Sequence, residues 1–227
     1  MEFTDLSHTV CTQNKRLAEL ELVILTEGNV SERYGDMMAI KPSGVSYDHM
    51  MPHQMVYVDI ESGEIISNGW RVDFIPSVDT PTHLEIYRRF PSIGGIAHTH
   101  SPYATVFAQN CRVIPSVGTT HADAFNGSVP VTRSLTEKEI AEGLERWTGI
   151  VIAECFQSDI PAVLVRHHGP FTFGRNAREA VDTALILEKV AFLALYTGTT
   201  LDTLMPRPLA TAHYQRKHGS GASYGQQ

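Results

Sequence analysis

Cysteine is scarce in this 227-residue chain. Cys11, Cys111 and Cys155 are the only three, and no C-x-x-C pair exists. That excludes a disulfide framework and a thiolate metal site, and predicts free thiols in a reducing compartment. Long hydrophobic runs are missing as well. The run near Val190 to Tyr196 is the longest, and a membrane span needs about 20 residues. Basic charge is not in excess: 18 Lys and Arg stand against 25 Asp and Glu, a formal net charge of −7. Binding a nucleic-acid backbone requires a basic face, so no nucleic-acid partner is expected. A local basic cluster could still hold a small phosphorylated metabolite. Met1 to Asp5 carry neither a basic stretch nor the start of an apolar signal segment. Repeats, low-complexity blocks and linkers are absent. The expectation is a cytoplasmic, membrane-free protein with one domain over 1–227 and a polar tail from about Gln215.

What is present reads as alternating strands and helices. Leu6, Val10, Leu17, Leu20 and Ile24 have helical spacing within residues 5–25, and Gly28-Asn29 ends that helix. Met37–Ile40 and Met55–Ile60 suit strands, with a turn at Pro42-Ser43-Gly44 and a hairpin turn at Ser62-Gly63-Glu64. Thr80-Pro81 starts a helix that reaches Phe90, and Ser101-Pro102 starts another by the same signal. Ile93–Ala97 reads as a short buried strand between them. Thr136 to Glu139 fits a capping box for a helix through about Trp147. Ala162–Val165 is a β-branched strand, and Asn176 caps a long helix through about Tyr196. Several connections are too short for parallel crossovers. A mixed sheet with helices on both faces follows.

The chemistry concentrates at His98-Thr99-His100. Side chains at i and i+2 of a strand share a face, so two imidazoles there can close on one metal ion. His168 follows in His167-His168-Gly169-Pro170, and Asp79 precedes in Pro76-Ser77-Val78-Asp79. Three histidines and an aspartate suit a catalytic divalent metal with an open position, zinc first among them. Taken alone, the pair is equally readable as surface or core histidines in a chain holding eleven. Asp79 alone reads as an N′ or N-cap residue of the following helix.

Seven motifs occur in order: Gly28-Asn29-Val30-Ser31, Lys41-Pro42-Ser43-Gly44, Asp79-Thr80-Pro81-Thr82-His83, Gly95-Ile96-Ala97-His98-Thr99-His100, Gly118-Thr119-Thr120-His121-Ala122-Asp123, His167-His168-Gly169-Pro170-Phe171 and Tyr224-Gly225-Gln226. Together they resemble the class II aldolase/epimerase family, and within it the L-ribulose-5-phosphate 4-epimerases. The resemblance implies a three-layer α/β/α fold with a mixed, mostly antiparallel sheet. It implies a homotetramer with active sites at subunit interfaces, each completed by a neighbour's tail of about residues 215–227. It implies Zn2+ held by His98, His100 and His168, with Asp79 at or beside the metal. Related aldolases carry glutamate in place of Asp79, so aspartate favours an epimerase.

The implied reaction interconverts L-ribulose 5-phosphate and D-xylulose 5-phosphate. C4 is not adjacent to the C2 ketone and is not acidic, so the resemblance points to retro-aldol cleavage of C3–C4 and re-addition to the other face. Asp123 and Tyr224 match the family's acid/base pair. Gly28, Asn29, Lys41, Ser43, Gly44, Ser77 and Val78 match its phosphate-binding loops. Thr119, His213 and Arg216 match possible substrate contacts. Without the resemblance, Asp123 is a turn residue, Tyr224 a tail tyrosine, the loops ordinary turns, and His213 and Arg216 basic groups on a solvated helix end. The family has two serines where this chain has Ser77-Val78, which removes one hydroxyl contact. The stretch Gly69 to Phe74 is also unusually apolar and borders the same loop. His83, His121 and His167 are given orienting roles, not metal contact. The alternatives are a metal-dependent sugar-phosphate aldolase or decarboxylase of the same fold, or a non-catalytic scaffold like the adducin head.

Overall fold

The computed structural model describes residues 3–66, 74–197, 200–220 and 222. Strands β1 (Asn29–Tyr34), β2 (Met37–Ile40), β3 (Val56–Asp59), β4 (Gly95–His98), β5 (Ala162–Leu164) and β6 (Pro170–Gly174) form one sheet. Their order is β3-β2-β1-β4-β6-β5. Every ladder between these strands is antiparallel. Parallel pairing among the described residues is confined to a bridge between Val131 and Leu164.

The strand period of two sorts each strand's side chains between two cores. On β2, Met38 and Ile40 enter one core and Ala39 the other. The first core packs Val30, Ala39, Tyr57 and Ala97 of the sheet against α1 (Phe3–Glu19) and α6 (Ala177–Thr197). On the opposite face, Val56, Val58, Ile96, Phe171 and Phe173 pack against α2 (Thr80–Arg89) and α5 (Glu137–Cys155). A third core joins α3 (Pro102–Gln109) and the distal half of α6 to β5, beside α4 (Thr119–Ala124). Helices therefore cover both faces of the sheet, the α/β/α layering expected. Among the described residues no helix is long and apolar enough to cross a membrane.

Several boundaries differ from the sequence reading. The first helix stops at Glu19, and Glu21 and Leu25 adopt positive φ, so Ile24 lies in an irregular segment and is exposed. Helix α2 has Asp79, not Thr80, at its N-cap, with Pro81 in the first turn. Helix α5 carries the expected Thr136–Glu139 capping box but runs past Trp147 to Cys155, across a break at Gly143. Burial of Thr148, Val151 and Ile152 sustains the second half. Asn176 caps α6 as expected, accepting from the Glu179 amide at 2.9 Å. Strands β1 and β6 and helix α4 have no counterpart in the sequence reading. Gln215, expected at the start of a tail, lies within α7 (Arg207–His218).

One glycine fixes the close packing of sheet on helix. A Cβ at Gly95 would overlap the backbone of Asn176 and Ala177, where the chain enters α6. Backbone cannot move aside as a flexible side chain can, and overpacking a core costs about 1–3 kcal/mol or more. Gly95→Ala is expected to lower the thermal midpoint by about 2–12 °C, since about 1 kcal/mol shifts a chain of this size by 2–4 °C. An unchanged midpoint in a thermal melt would refute that account.

Candidate metal centre

Two antiparallel pairings meet at the C-terminal end of β4. His98 pairs with Asn29 of β1 on one side and with Phe171 of β6 on the other. The turn between β5 and β6 is closed by the His168 amide on Val165 O and the Val165 amide on Gly169 O. His167 sits in that turn with φ 62°. The turn tip thus arrives beside His98 and His100. One nitrogen from each of His98, His100 and His168 lies within 4.8 Å of the others. Gly169 makes room for this: a Cβ there would come 2.6 Å from Thr99 O and 3.2 Å from His100 Cδ2.

His98 is buried and its ring stacks on Phe171 at 4.2 Å between centroids. Its Nδ1–H donates to Pro170 O at 3.0 Å, which leaves a lone pair on Nε2. Burial lowers the His98 pKa well below the usual imidazole range, and the neighbouring His168 and His100 lower it further. His168 is lowered by burial and then by His100. His100 Nδ1 lies 3.3 Å from Glu27 Oε2, and its Nε2 lies 3.1 Å from His98 Nε2. With both Nδ1 atoms protonated, two nitrogen lone pairs face each other across that gap with no hydrogen between them. A cation resolves the conflict. Two nitrogens bound tetrahedrally to one zinc at about 2.0–2.1 Å lie about 3.3 Å apart. The donor set therefore fits a divalent metal of the zinc type.

Asp79 does not use its carboxylate to cap α2. Oδ2 instead accepts from Asn29 Nδ2 at 2.7 Å and stands 4.0 Å from His98 Nε2. Asn29 also donates to Ser77 Oγ at 3.1 Å, so its amide positions two neighbours; its Oδ1 is buried with no partner among the described residues. A cavity of about 460 Å3 opens over the cluster. Gly28, Asn29, Lys41, Ser43, Gly44, Ser77, Val78 and Asp79 all line it together with the three histidines. The Ser43 and Ser77 amides are occupied, donating to Ile75 O and Lys41 O. Anion contacts from these two residues fall to their hydroxyls, not to their N–H groups. Lys41 is almost fully buried, donates to Thr26 O at 2.9 Å and packs over the Tyr47 ring. Burial brings its pKa down to about 8, against the opposing pull of Asp79.

The other candidates are elsewhere. Asp123 on α4 faces α7: Oδ1 accepts from His213 Nδ1 at 3.2 Å and Arg216 Nη2 at 3.3 Å. Asp123 lines a second cavity, with Lys217 and His218, whose lining shares no residue with the metal cavity's. Thr119 borders a third. Tyr224 and residues 69–73 lie outside the described residues. His83 is buried under the site with Nδ1 2.7 Å from Ser31 Oγ, and burial lowers its pKa to about 3. His121 bonds Gly127 O and His167 touches Cys111 Sγ. None of these three joins the metal cluster.

The sequence reading missed Glu27, Thr82, Leu144, Glu145 and Thr148, which also line the cavity. The α5 residues arrive only because that helix continues past Gly143. Glu27 had a signal, but only once β1 is known to pair with β4. The ladder ends at the Asn29–His98 pair, and Glu27 and His100 each lie two residues beyond it.

Solved structures share this architecture. An L-fuculose 1-phosphate aldolase superposes with a TM-score of 0.80 at 24% identity, over 94% of this chain and 96% of that one. YgbL of Escherichia coli, for which an aldolase, epimerase or decarboxylase activity is proposed, superposes at 0.76 with 21% identity, over 92% and 98%. The L-fuculose-1-phosphate aldolase of Thermus thermophilus does so at 0.69 with 24% identity, over 86% and 96%. Residues 8–195 match the family described as Class II Aldolase and Adducin N-terminal domain. With most of its length matched and the histidine cluster assembled at the end of β4, the chain belongs to the Class II Aldolase and Adducin N-terminal domain family.

Proposed function

We propose that this protein is a zinc-dependent epimerase interconverting L-ribulose 5-phosphate and D-xylulose 5-phosphate, working as a homotetramer with shared active sites. The observation that carries the reading is Asp79. Its carboxylate is short, is tied to Asn29 and stands beside His98. On this reading the Asp79 carboxylate is committed to Asn29 and the metal centre, and proton transfer at the C4 hydroxyl is assigned to other groups. Asp123 and Tyr224 are assigned that role, delivered by a neighbouring copy, with His213 and Arg216 holding Asp123 in place. Such delivery would bring the second cluster to the metal cavity.

His98, His100 and His168 would hold the metal, with Asp79 beside it. When bound, the metal supplies Lewis acidity toward the substrate ketone. One of Asp123 and Tyr224 takes the C4 hydroxyl proton as the C3–C4 bond breaks, leaving its electron pair conjugated with the C2 carbonyl. The aldehyde phosphate turns over, C3 attacks its other face, and the second residue returns a proton to the new alkoxide. Lys41 and the hydroxyls of Ser43 and Ser77 keep the phosphate anchored through the rotation. Val78, in place of a second serine, leaves that anchor one hydroxyl short.

The test is conversion of L-ribulose 5-phosphate to D-xylulose 5-phosphate by metal-loaded and chelator-stripped protein. Metal-dependent turnover is expected. Accumulation of free glycolaldehyde phosphate without the epimer would instead support an aldolase, the activity named for two of the superposing structures. Protein that retains no metal after gentle purification would support the scaffold reading.

Lys41 makes a pH prediction. Below about 8 its ammonium is charged and attracts phosphate; above that it is neutral. The kcat/KM for a phosphorylated substrate reports the free enzyme and should fall as pH rises through this range. Lys41→Met should lower kcat/KM at neutral pH by about 10- to 100-fold, the worth of one hydrogen bond to a charged group. It should also abolish the alkaline limb. Persistence of that limb in the variant would remove Lys41 from phosphate binding.

A further inference from the structure

We infer that Glu27 is a positioning residue of the metal centre, holding His100 in the tautomer and orientation that present Nε2 to His98 and His168. The inference rests on the metal reading above and extends it to a residue outside the seven motifs' ligand set. Three observations carry it. The β1–β4 ladder ends at the Asn29–His98 pair, two residues from both Glu27 and His100, so strand pairing brings their two segments side by side. Glu27 Oε2 lies 3.3 Å from His100 Nδ1, the nitrogen remote from the cluster. The carboxylate is itself held: Oε1 accepts from the Ile24 amide at 3.0 Å, and the Glu27 carbonyl accepts from Tyr47 Oη at 2.5 Å.

The comparison with His98 shows what Glu27 adds. His98 is oriented by a neutral acceptor, the Pro170 carbonyl, and is buried. His100 is one-third exposed and has a carboxylate as its partner. A carboxylate behind an imidazole fixes the ring and strengthens it as a ligand. Three imidazoles bring no charge to a dication. Asp79 stands beside His98 and Glu27 behind His100, so two carboxylates adjoin the cluster. The contact with the Ile24 amide also gives Glu27 a turn-stabilising role, and the experiment must separate the two.

Glu27→Gln and Glu27→Ala would be compared with the parent protein by three readouts. These are zinc affinity by chelator competition, the visible absorption of the cobalt(II) form, and the thermal midpoint of the metal-free protein. Glutamine keeps an acceptor for the Ile24 amide and for His100 but loses the charge. Both variants should bind zinc more weakly, the alanine by about 10- to 100-fold, the range for loss of such outer partners. The cobalt bands should shift, while the metal-free glutamine variant melts with the parent. Zinc affinity and cobalt spectra unchanged in the glutamine variant would overturn the inference, even if the alanine variant fails to fold. A parent protein that binds zinc tightly but does not epimerise L-ribulose 5-phosphate retires the epimerase reading and leaves the Glu27 result standing. A parent protein that binds neither zinc nor cobalt overturns both.

Discussion

His98→Asn is expected to abolish metal retention and activity together. The ring is the centre of the cluster: its Nε2 faces His100 Nε2 at 3.1 Å, and His168 lies 4.6 Å from it between centroids. Asparagine can still donate to Pro170 O, so the buried hydrogen bond survives while the ligand nitrogen is lost. Losing a ring stacked on Phe171 leaves some space, but the fold should persist. A Lewis acid is worth several kcal/mol of transition-state stabilisation, and about 1.4 kcal/mol is tenfold in rate. The expected loss is therefore about 1,000-fold or more, with metal content at background. Elemental analysis and the epimerase assay check both. Full activity in protein shown to be metal-free would sink the mechanism.

Asp123→Asn should have an effect of similar size by a different route. The variant should keep its metal, because Asp123 faces α7 and not the histidine cavity. Asparagine keeps an oxygen to accept from His213 and Arg216, so α4 and α7 should stay docked. Loss of a positioned acid/base group costs about 100- to 10,000-fold. The two variants together test the shared site. Mixed oligomers of His98→Asn and Asp123→Asn subunits contain some sites with a wild-type histidine cluster and a wild-type Asp123 if two copies build each site. Recovery of activity on mixing is the expected result. Mixed oligomers as inactive as their parents would refute the shared site. Rates within twofold of the parent for Asp123→Asn alone would remove Asp123 from the acid/base pair.

Much of the fold is open to sequence reasoning where the signal is local. The Thr136 capping box, the Asn176 cap and the short apolar run Met37–Ile40 depend on neighbours within a turn or a strand, and each matches the structure. Helix ends are less legible. The sequence reading ends this helix near Trp147, yet burial of Ile152 against α2 and the sheet, with Val151 also buried, carries α5 to Cys155. Strand β1 escapes sequence reasoning because Ser31, Glu32 and Arg33 are polar. Ser31 and Glu32 are nonetheless buried, Ser31 against His83 and Tyr87, Glu32 on the Ala177 amide.

By itself the sequence determined the ligand types and their spacing: His98 and His100 two residues apart at the end of a strand, His168 at a turn after a strand, Asp79 at a helix start. Strand geometry alone makes His98 and His100 neighbours. What only the tertiary structure decided is everything set by pairing across the sheet. His168 meets the other two because β6 pairs with β4, and Glu27 meets His100 because β1 pairs with β4 on the other side. A local pattern states which way a side chain points; it does not state which strand lies beside it. Strand pairing across the sheet supplied that, and it helped bring His98 and His100, the distant His168, a lysine and three carboxylates into one cavity.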